Sequence, residues 1–459
     1  MYDSFKKNLD YNKILILGFG REGISSYQFL RKIFPSKHLY IADVNSDIVE
    51  NALLAKDKNI SCIVGDNYLE NLNNYDLIIK TPGISLKDLK FEIDVKKITC
   101  QTDIFINVYR DNIIGVTGTK GKSTTTSLIY HIVKQYTENV VVAGNIGIPV
   151  FETIDLIDDN TYIVLELSSH QLQYASSAPH VAVLLNIFQE HLDHYRNYED
   201  YQHSKFNITK YQKGDDIFIY HNDDTLIKNW IEKYRIVRDF YPLTLLENLS
   251  KGCFKDNNAL FWSNGKETDK VLDLNKPINI IGEHNLLNIM AAIAACKAVN
   301  IPLDIISEAI TTFKGLEHRI EFVGTFNDIL FYNDSIATIS EACIQAVNSL
   351  KNVNTLILGG FDRGIEYKQL AEYLAKSNIQ NLIFIADAGK RIKEELNKIG
   401  NNNNQQYYTV LNMEDAVKIA KEKTTKNQIC LLSPAAASYG MYKNFEERGR
   451  HFKKLIKNN

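Results

Sequence analysis

No long apolar run occurs in this sequence. A membrane-spanning helix needs about 20 consecutive apolar residues, and the 459 residues contain no such stretch, so membrane insertion is not expected. Met1 to Asp10 is polar and charged and lacks the apolar core of a secretory leader; a cytoplasmic location is expected. Cysteine is sparse, with six residues at positions 62, 100, 253, 296, 343 and 430 and no Cys-x-x-Cys pair. That spacing supports neither a zinc ribbon nor a disulfide scaffold, and fits small buried thiols in a reducing compartment. A strong charge of one sign is also missing. The net charge of −3 argues against a general nucleic-acid binder. What remains is an ordinary soluble composition, 45% apolar and 23% charged, in a chain long enough for about three domains.

The most telling segment is Gly118-Thr119-Lys120-Gly121-Lys122-Ser123-Thr124. The apolar stretch Ile113-Ile114-Gly115-Val116 before it reads as a buried strand, and Thr125 to Val133 after it reads as a helix. A strand, a glycine turn and a helix N-terminus make a phosphate cradle: backbone N–H groups approach the anion and the helix dipole favours negative charge. Lys122 would reach the terminal phosphates, and Ser123 would offer its hydroxyl to Mg²⁺. The general P-loop has a further glycine where Val116 stands, so a plain turn in a basic loop remains an alternative at this point.

The first region alternates strands and helices. Lys13 to Gly20 reads as a strand entering a glycine turn, Gly23 to Leu30 as a helix, Leu39 to Asp43 and Tyr75 to Gly83 as further strands. Gly18-Phe19-Gly20-Arg21-Glu22-Gly23, with Asp43 about twenty residues on, fits a dinucleotide fingerprint. The pattern admits NAD or any nucleotide diphosphate. A second region carries the P-loop strand and strand candidates at 139–144, 162–167 and 181–186, and polar, turn-rich text from Asn207 to about Pro277. There, short strands such as Asp216 to Tyr220 fit an antiparallel appendage. A helix near Asn285 to Val299 closes it. The third region has strands near 355–358, 381–385 and 428–432 with helices near 339–350, 367–375 and 414–423, a doubly wound pattern. Asn401 to Asn404 reads as a surface loop. The expected architecture is α/β in three domains: a Rossmann-like domain over 1–110, a P-loop ATPase-like domain over 111–314, and a doubly wound α/β domain over 315–459.

Further segments are more particular: Gly144-Asn145-Ile146-Gly147, Glu166 to Leu172, Asn186 to Asp193, Gly282 to Asn288, Gly315 to Arg319, Asn333-Asp334-Ser335, and Leu432 to Ser438 followed by Phe445 and Arg448-Gly449. In this order they resemble the Mur ligase family of peptidoglycan synthesis, over essentially the whole chain. The likeness is greatest to members that add D-glutamate to UDP-N-acetylmuramoyl-L-alanine. The shortened P-loop is that family's own form. A folate-type ligase lacks the N-terminal domain, and an oxidoreductase leaves the P-loop, Glu166 and Lys205 unexplained.

The resemblance implies a reaction: ATP phosphorylates a carboxylate, the amine of glutamate attacks the acyl phosphate, and phosphate leaves. It also implies roles. Gly118, Thr119, Lys120, Gly121, Lys122, Ser123 and Thr124 would hold the ATP phosphates. Ser123 and Glu166 would ligate one Mg²⁺, and His191 a second. Lys205 falls where the family carries a carbamate made from CO₂, and Lys122, His191 and Lys205 are the expected catalytic set. Asn285 and Asn288 match adenine-side positions, and Arg319 and Asp334 match nucleotide positions. Gly18, Gly20, Asp43, Thr81 and Gly83 would cup the uridine diphosphate, with Asn145 and Gln171 on the sugar. Thr338, Arg363, Ser438 and Phe445 fall on the glutamate side. A monomer is expected.

Two departures stand out. Where the family often has a lysine after Asn-Asp-Ser, this chain has Ile336, and where it often has Gly-Gly-x-Asp-Lys, the lysine is Arg363. Both fall on the side that holds the amino acid's carboxylates. Guanidinium binds carboxylate bidentately, so Arg363 can compensate. D-glutamate is the expected amino acid; the alternative is L-glutamate, or a different amino acid as in another Mur-type ligase.

Overall fold

A computed structural model describes residues 2–236, 238–276, 278–280, 282–350, 352–400 and 405–458. The run Asn401–Asn404, read above as a loop, lies outside the described residues. The chain divides into two compact units, one of Met1–Ile278 with Glu283–Thr312 and one of Asn279–Gly282 with Phe313–Asn459. Among the described residues three sheets form, two in the first unit and one in the second. No helix is long and apolar enough to cross a membrane among these residues.

The first sheet comprises β1 (Ile14–Leu17), β2 (Leu39–Asp43), β3 (Ile60–Val64), β4 (Leu77–Lys80) and β5 (Ile98–Thr99), in the order β3-β2-β1-β4-β5. All its pairs are parallel. The central strand, Ile-Leu-Ile-Leu, is buried throughout, which is why it reads as a continuous apolar run and not as an alternation. The helix Arg21–Ile33 follows it directly.

The second sheet contains β6 (Ile113–Thr117), β7 (Val140–Gly144), β8 (Tyr162–Glu166), β9 (Val181–Leu184), β10 (Ile217–His221), β11 (Asp239–Thr244), β12 (Lys251–Asp256), β13 (Ala259–Asn264) and β14 (Thr268–Asp273). Its order is β14-β13-β12-β11-β10-β9-β6-β8-β7. The helix Lys122–Tyr136 leaves β6 and buries Leu128, Ile129, Ile132 and Val133, one face at helical spacing. Each such aliphatic side chain contributes about 1.5–3 kcal/mol on burial. One expectation needs correction here. The polar, turn-rich text around Asp216 to Tyr220 predicts an antiparallel appendage, yet β10 runs parallel to both β9 and β11. The reason is the helix Thr225–Lys233, which buries Ile227 and Trp230 and provides the crossover that a parallel pair requires. Only the ribbon β12-β13-β14 is antiparallel.

The third sheet, in the second unit, consists of β15 (Glu321–Phe326), β16 (Ile329–Asn333), β17 (Val353–Gly359), β18 (Asn381–Ile385), β19 (Gln406–Val410) and β20 (Ile429–Leu432), in the order β15-β16-β20-β17-β18-β19. It is parallel except for β15, which forms a hairpin with β16. The two-residue turn Asn327-Asp328 has φ of +52° and +62°, the twist that a tight hairpin needs. Helices Ser340–Ser349, Lys368–Lys376, Ala386–Ile399, Met413–Lys423 and Phe445–Lys457 flank the sheet.

Candidate active site

The turn between β6 and the helix Lys122–Tyr136 is built around Gly121, a position that only glycine suits. Gly121 is the N-cap at φ +86°, and a Cβ there would lie 2.3 Å from Asn288 Oδ1. Asn288 is thereby packed onto the turn; its Nδ2 donates to Asn285 Oδ1 at 2.9 Å, and Thr125 Oγ1 donates to its Oδ1 at 3.3 Å. Val116, which replaces the extra P-loop glycine, is a fully buried strand residue, so the turn begins later, at Gly118. Lys122 Nζ donates to Gly118 O at 2.9 Å and Thr119 O at 3.1 Å. Lys120 N donates to Asn186 Oδ1 at 2.9 Å, and its ammonium pairs with Glu190.

Lys205 enters the same turn from the helix Tyr198–Lys210. Its side chain is 2% exposed, and Nζ donates to Gly118 O at 2.8 Å. Burial, reinforced by the charge of Lys122, holds its ammonium well below the ordinary lysine range. Glu166 ends β8 beside Val116 of β6 and is 1% exposed. Its Oε1 accepts from Asn145 Nδ2 at 2.7 Å, while Oε2 is buried with no hydrogen-bond partner. An orphaned carboxylate oxygen beside a glycine phosphate turn suits a hard cation. His191 sits at φ +59°, with its ring 4.8 Å from that of His170 and 6.0 Å from that of Tyr201. Burial lowers its pKa, and the charges of Lys205 and Lys122 add to this, so the imidazole is kept in the neutral form that binds metal.

The first sheet presents its own glycine turn at the carboxyl edge. Gly18 has φ +95°, and a Cβ there would lie 2.1 Å from Thr81 Oγ1, so Gly18 and Thr81 lie together. Thr81 is tied down by bonds from its N and Oγ1 to Leu17 O, at 2.9 and 3.1 Å. Asp43 shapes the turn as well: it accepts from Phe19 N at 2.6 Å and from Asn45 N at 2.8 Å. Gly20 and Gly83 are exposed. Gln171 is 3% exposed and has both ends of its amide engaged, Nε2 to Glu22 Oε1 at 3.0 Å and Oε1 from Ser168 N at 3.0 Å.

In the second unit the carboxyl edge of the sheet gathers the remaining residues. Asp334 is 4% exposed; its carboxylate accepts from Ser433 Oγ at 2.8 Å and Ile320 N at 3.2 Å. Burial pushes its pKa up to about 7. Arg319 is exposed nearby in sequence. Arg363 Nη2 donates to Thr338 O at 3.0 Å, so two positions expected on the glutamate side meet directly. Ser335 Oγ donates to Phe445 O at 2.8 Å. Arg448, 2% exposed, donates to Ser335 O, Ala436 O and Ala437 O at 2.8–3.1 Å, which fixes the turn leading into Ser438.

Comparison with known proteins decides what this arrangement is. Residues 116–296 match the Mur ligase middle domain, and residues 318–436 match the Mur ligase glutamate ligase domain. The chain is 33% identical over 461 aligned positions to the UDP-N-acetylmuramoylalanine--D-glutamate ligase of Clostridium botulinum, covering 99% of this chain and 98% of that protein. The protein of that name from Clostridium tetani is 32% identical, with 100% and 99% covered. The chain belongs to the Mur ligase family. Among solved structures, UDP-N-acetylmuramate-alanine ligase MurC from Thermotoga maritima superposes with a TM-score of 0.57 at 18% identity, covering 96% of this chain and 98% of that one. MurF ligase from Thermotoga maritima in complex with ADP gives 0.54 at 18% identity, with 83% and 89% covered. These two share the three-domain α/β fold.

In this Mur ligase some residues at the site carry little signal in sequence. Tyr201 Oη lies 2.8 Å from Thr119 Oγ1, and Thr119 Oγ1 in turn accepts from Phe188 N at 2.9 Å. Asn186 brackets Lys120 by accepting from its N and donating to its O at 3.1 Å. Asn186 and Glu190 fall inside a singled-out segment, but nothing about a tyrosine on an amphipathic helix marks Tyr201 until the turn is seen beside it.

Proposed function

We propose that this Mur ligase joins D-glutamate to the alanyl carboxylate of UDP-N-acetylmuramoyl-L-alanine, with ATP as the source of driving force. The observation that carries the reading is the meeting of two lysine side chains, Lys122 and Lys205, on the Gly118 carbonyl, beside a carboxylate with an orphaned oxygen. The Lys122 cation at the start of a helix that follows a glycine turn forms a site suited to polyphosphate. The relatives of full length named for D-glutamate ligation support the same substrate set.

In this reading the alanyl carboxylate oxygen attacks the γ-phosphorus of ATP and ADP leaves. The glutamate amine then attacks the acyl carbon, loses a proton to solvent, and the tetrahedral adduct expels phosphate. The protein's part is positioning and charge neutralisation. Lys122 and the backbone N–H groups of Gly118 to Ser123 hold the phosphates. Ser123, Glu166 and His191 fit Mg²⁺, which when bound neutralises phosphate charge. Lys205 has no acceptor as an ammonium. Its suppressed pKa favours the neutral amine, which is the form that adds CO₂ to become an anionic carbamate. Asn285 and Asn288 serve the adenine side, and Arg319 and Asp334 the nucleotide. Gly18, Gly20, Asp43, Thr81 and Gly83 cup the uridine diphosphate, Asn145 and Gln171 address the sugar, and Thr338, Arg363, Ser438 and Phe445 receive the glutamate. The domain boundaries 1–110, 111–314 and 315–459 belong to this reading.

The test is phosphate release from ATP and Mg²⁺ with UDP-N-acetylmuramoyl-L-alanine, comparing D- and L-glutamate. Turnover with D-glutamate alone is expected. Turnover with L-glutamate alone would transfer the reading to the other enantiomer and place the change at Ile336 and Arg363. Inactivity with both would overturn it.

A further inference from the structure

An imidazole that ligates a metal must be held in one orientation, and the usual device is a hydrogen bond from its second ring nitrogen to a carboxylate or carbonyl. His191 lacks that device. Among the described residues neither of its ring nitrogens is hydrogen-bonded; Glu190 Oε2 stays 3.9 Å from Nε2, and the side chain is 45% exposed. The backbone is fixed, since the His191 carbonyl accepts from His194 N and Tyr195 N at 3.0 and 3.1 Å. The orientation of the ring is left to its neighbours.

Those neighbours are rings. His170 stands against His191 with centroids 4.8 Å apart and planes at 67°. His170 also meets His194 at 4.1 Å and 80°, and the Tyr195 ring lies nearly parallel to it at 5.7 Å. Edge-to-face contacts fix relative orientation, because the positive edge of one ring seeks the negative face of the next. The supporting rings are anchored. His170 belongs to the helix Ser169–Leu172, whose N-terminus is closed by reciprocal bonds between Ser168 and Gln171. His194 is 7% exposed; its Nε2 donates to Gln173 Oε1 at 3.1 Å, and its carbonyl accepts from Ser85 Oγ at 2.7 Å. Tyr195 is buried. His170 is thus a fixed ring set against a half-exposed one. The three imidazoles do not aim their nitrogens at one point: the group of His, Cys, Asp or Glu ligand atoms that converges among the described residues is Glu317, His318 and Glu321. The row therefore orients a ligand and does not itself form a three-histidine chelate.

We propose that His170 is a positioning residue, whose ring holds the His191 imidazole in the orientation that ligates Mg²⁺. The inference rests on the metal role given to His191 in the proposed function. Shape and ring electrostatics carry the effect, with no proton exchanged, so another flat ring at this position serves.

The experiment measures Mn²⁺ binding, with Mn²⁺ standing in for Mg²⁺, from the electron paramagnetic resonance signal of the free ion. The samples are the full-length wild type, H170A, H170L, H170F and H191A, each with a non-hydrolysable ATP analogue. Calorimetric binding of UDP-N-acetylmuramoyl-L-alanine and a thermal melt accompany each. Losing an outer-shell partner costs about 10–100-fold in metal affinity. H170A is expected to lose Mn²⁺ affinity by that factor, H170F to recover most of it, and both to bind the sugar nucleotide as the wild type does. H170L, apolar and without a ring, is expected to behave as H170A and keeps the test readable if H170A does not fold. Unchanged Mn²⁺ affinity in the folded ringless variants would overturn the proposal in favour of plain packing. Equal losses in H170A and H170F would reassign the effect to the imidazole nitrogens and overturn positioning by shape. Weakened sugar-nucleotide binding with Mn²⁺ affinity intact would overturn it in favour of a substrate contact. Wild-type Mn²⁺ affinity in H191A would instead overturn the metal role of His191, the reading on which the inference rests.

Discussion

Lys122 and Lys205 donate to the same carbonyl oxygen, that of Gly118, at 2.9 and 2.8 Å. They arrive from different helices, one directly after the glycine turn and one about eighty residues later. Each raises the cost of charging the other, and the buried partner yields: it is Lys205 whose ammonium is suppressed, by burial first and by Lys122 second. The half-buried Lys122 stays at the mouth of the phosphate turn. In the function proposed above, the pair divides the work between a cation for phosphate and an amine for CO₂.

From that division, activity should depend on dissolved CO₂. A neutral amine exists in the folded protein at pH values where an exposed lysine, with its ordinary value of 10.5, is fully charged. Activity should fall in carefully degassed buffer, recover on adding bicarbonate, and show a smaller bicarbonate requirement as pH rises. A carbamate carbon should appear in the ¹³C spectrum after addition of labelled bicarbonate and be absent from K205A.

Removing the phosphate cation has a different signature. K122M should lower kcat by about 10²–10³-fold, the usual cost of losing one preorganised group that stabilises transition-state charge. Binding of UDP-N-acetylmuramoyl-L-alanine should be unaffected, and calorimetry on the variant would check this.

E166Q keeps an oxygen for Asn145 but removes the charge that a cation needs. The Mg²⁺ concentration for half-maximal activity should rise at least about 10-fold, the lower end of what even an outer-shell partner contributes. A Mg²⁺ titration at saturating ATP reads it directly, and an unchanged requirement would remove Glu166 from the metal site.

Gly121→Ala places a Cβ 2.3 Å from Asn288 Oδ1 at a positive φ. The backbone conformation alone costs about 1–2 kcal/mol for a non-glycine residue, and the clash adds to it. Urea unfolding should show the loss. Adding Asn288→Gly should recover the part due to the clash and leave the part due to φ.

Asp334 makes a pH prediction in the second unit. Its folded value is raised from 3.8 to about 7, so the folded state holds a proton that the unfolded chain releases. The stabilisation is fully present below 3.8 and is lost as pH rises through about 7. Asn has no proton to lose. The stability of the wild type relative to D334N should therefore fall between about pH 4.5 and about pH 7.5, as measured by urea unfolding at each pH.

Much of the site was legible because its chemistry is local. The turn Gly118 to Thr124 follows a buried strand and precedes a helix, and three-dimensional contacts are not needed to see a phosphate cradle there. Strands such as Ile14–Leu17 and Asn381–Ile385 were equally plain as continuous apolar runs. The stretch after Asn207 was not, because the helix Thr225–Lys233 is only nine residues long and fully buries just Ile227 and Trp230, with Leu226 and Ile231 partly buried beside them. With that crossover helix unseen, β10 was given the wrong direction. Gln171 is singled out by the family resemblance, but its amide bonds to Glu22 and Ser168 join segments far apart in sequence and appear only in the fold.

The order of motifs along the chain thus determined by itself the family, the α/β class and the position of the nucleotide turn, since glycine conformations, helix starts and apolar runs are properties of neighbouring residues. The tertiary structure alone decided which buried groups lack partners and which charges suppress one another. The orphaned Glu166 Oε2 and the meeting of Lys122 with Lys205 on one carbonyl both depend on chain segments far apart in sequence. Burial and electrostatics act through space, and their strength is set by distances that folding creates.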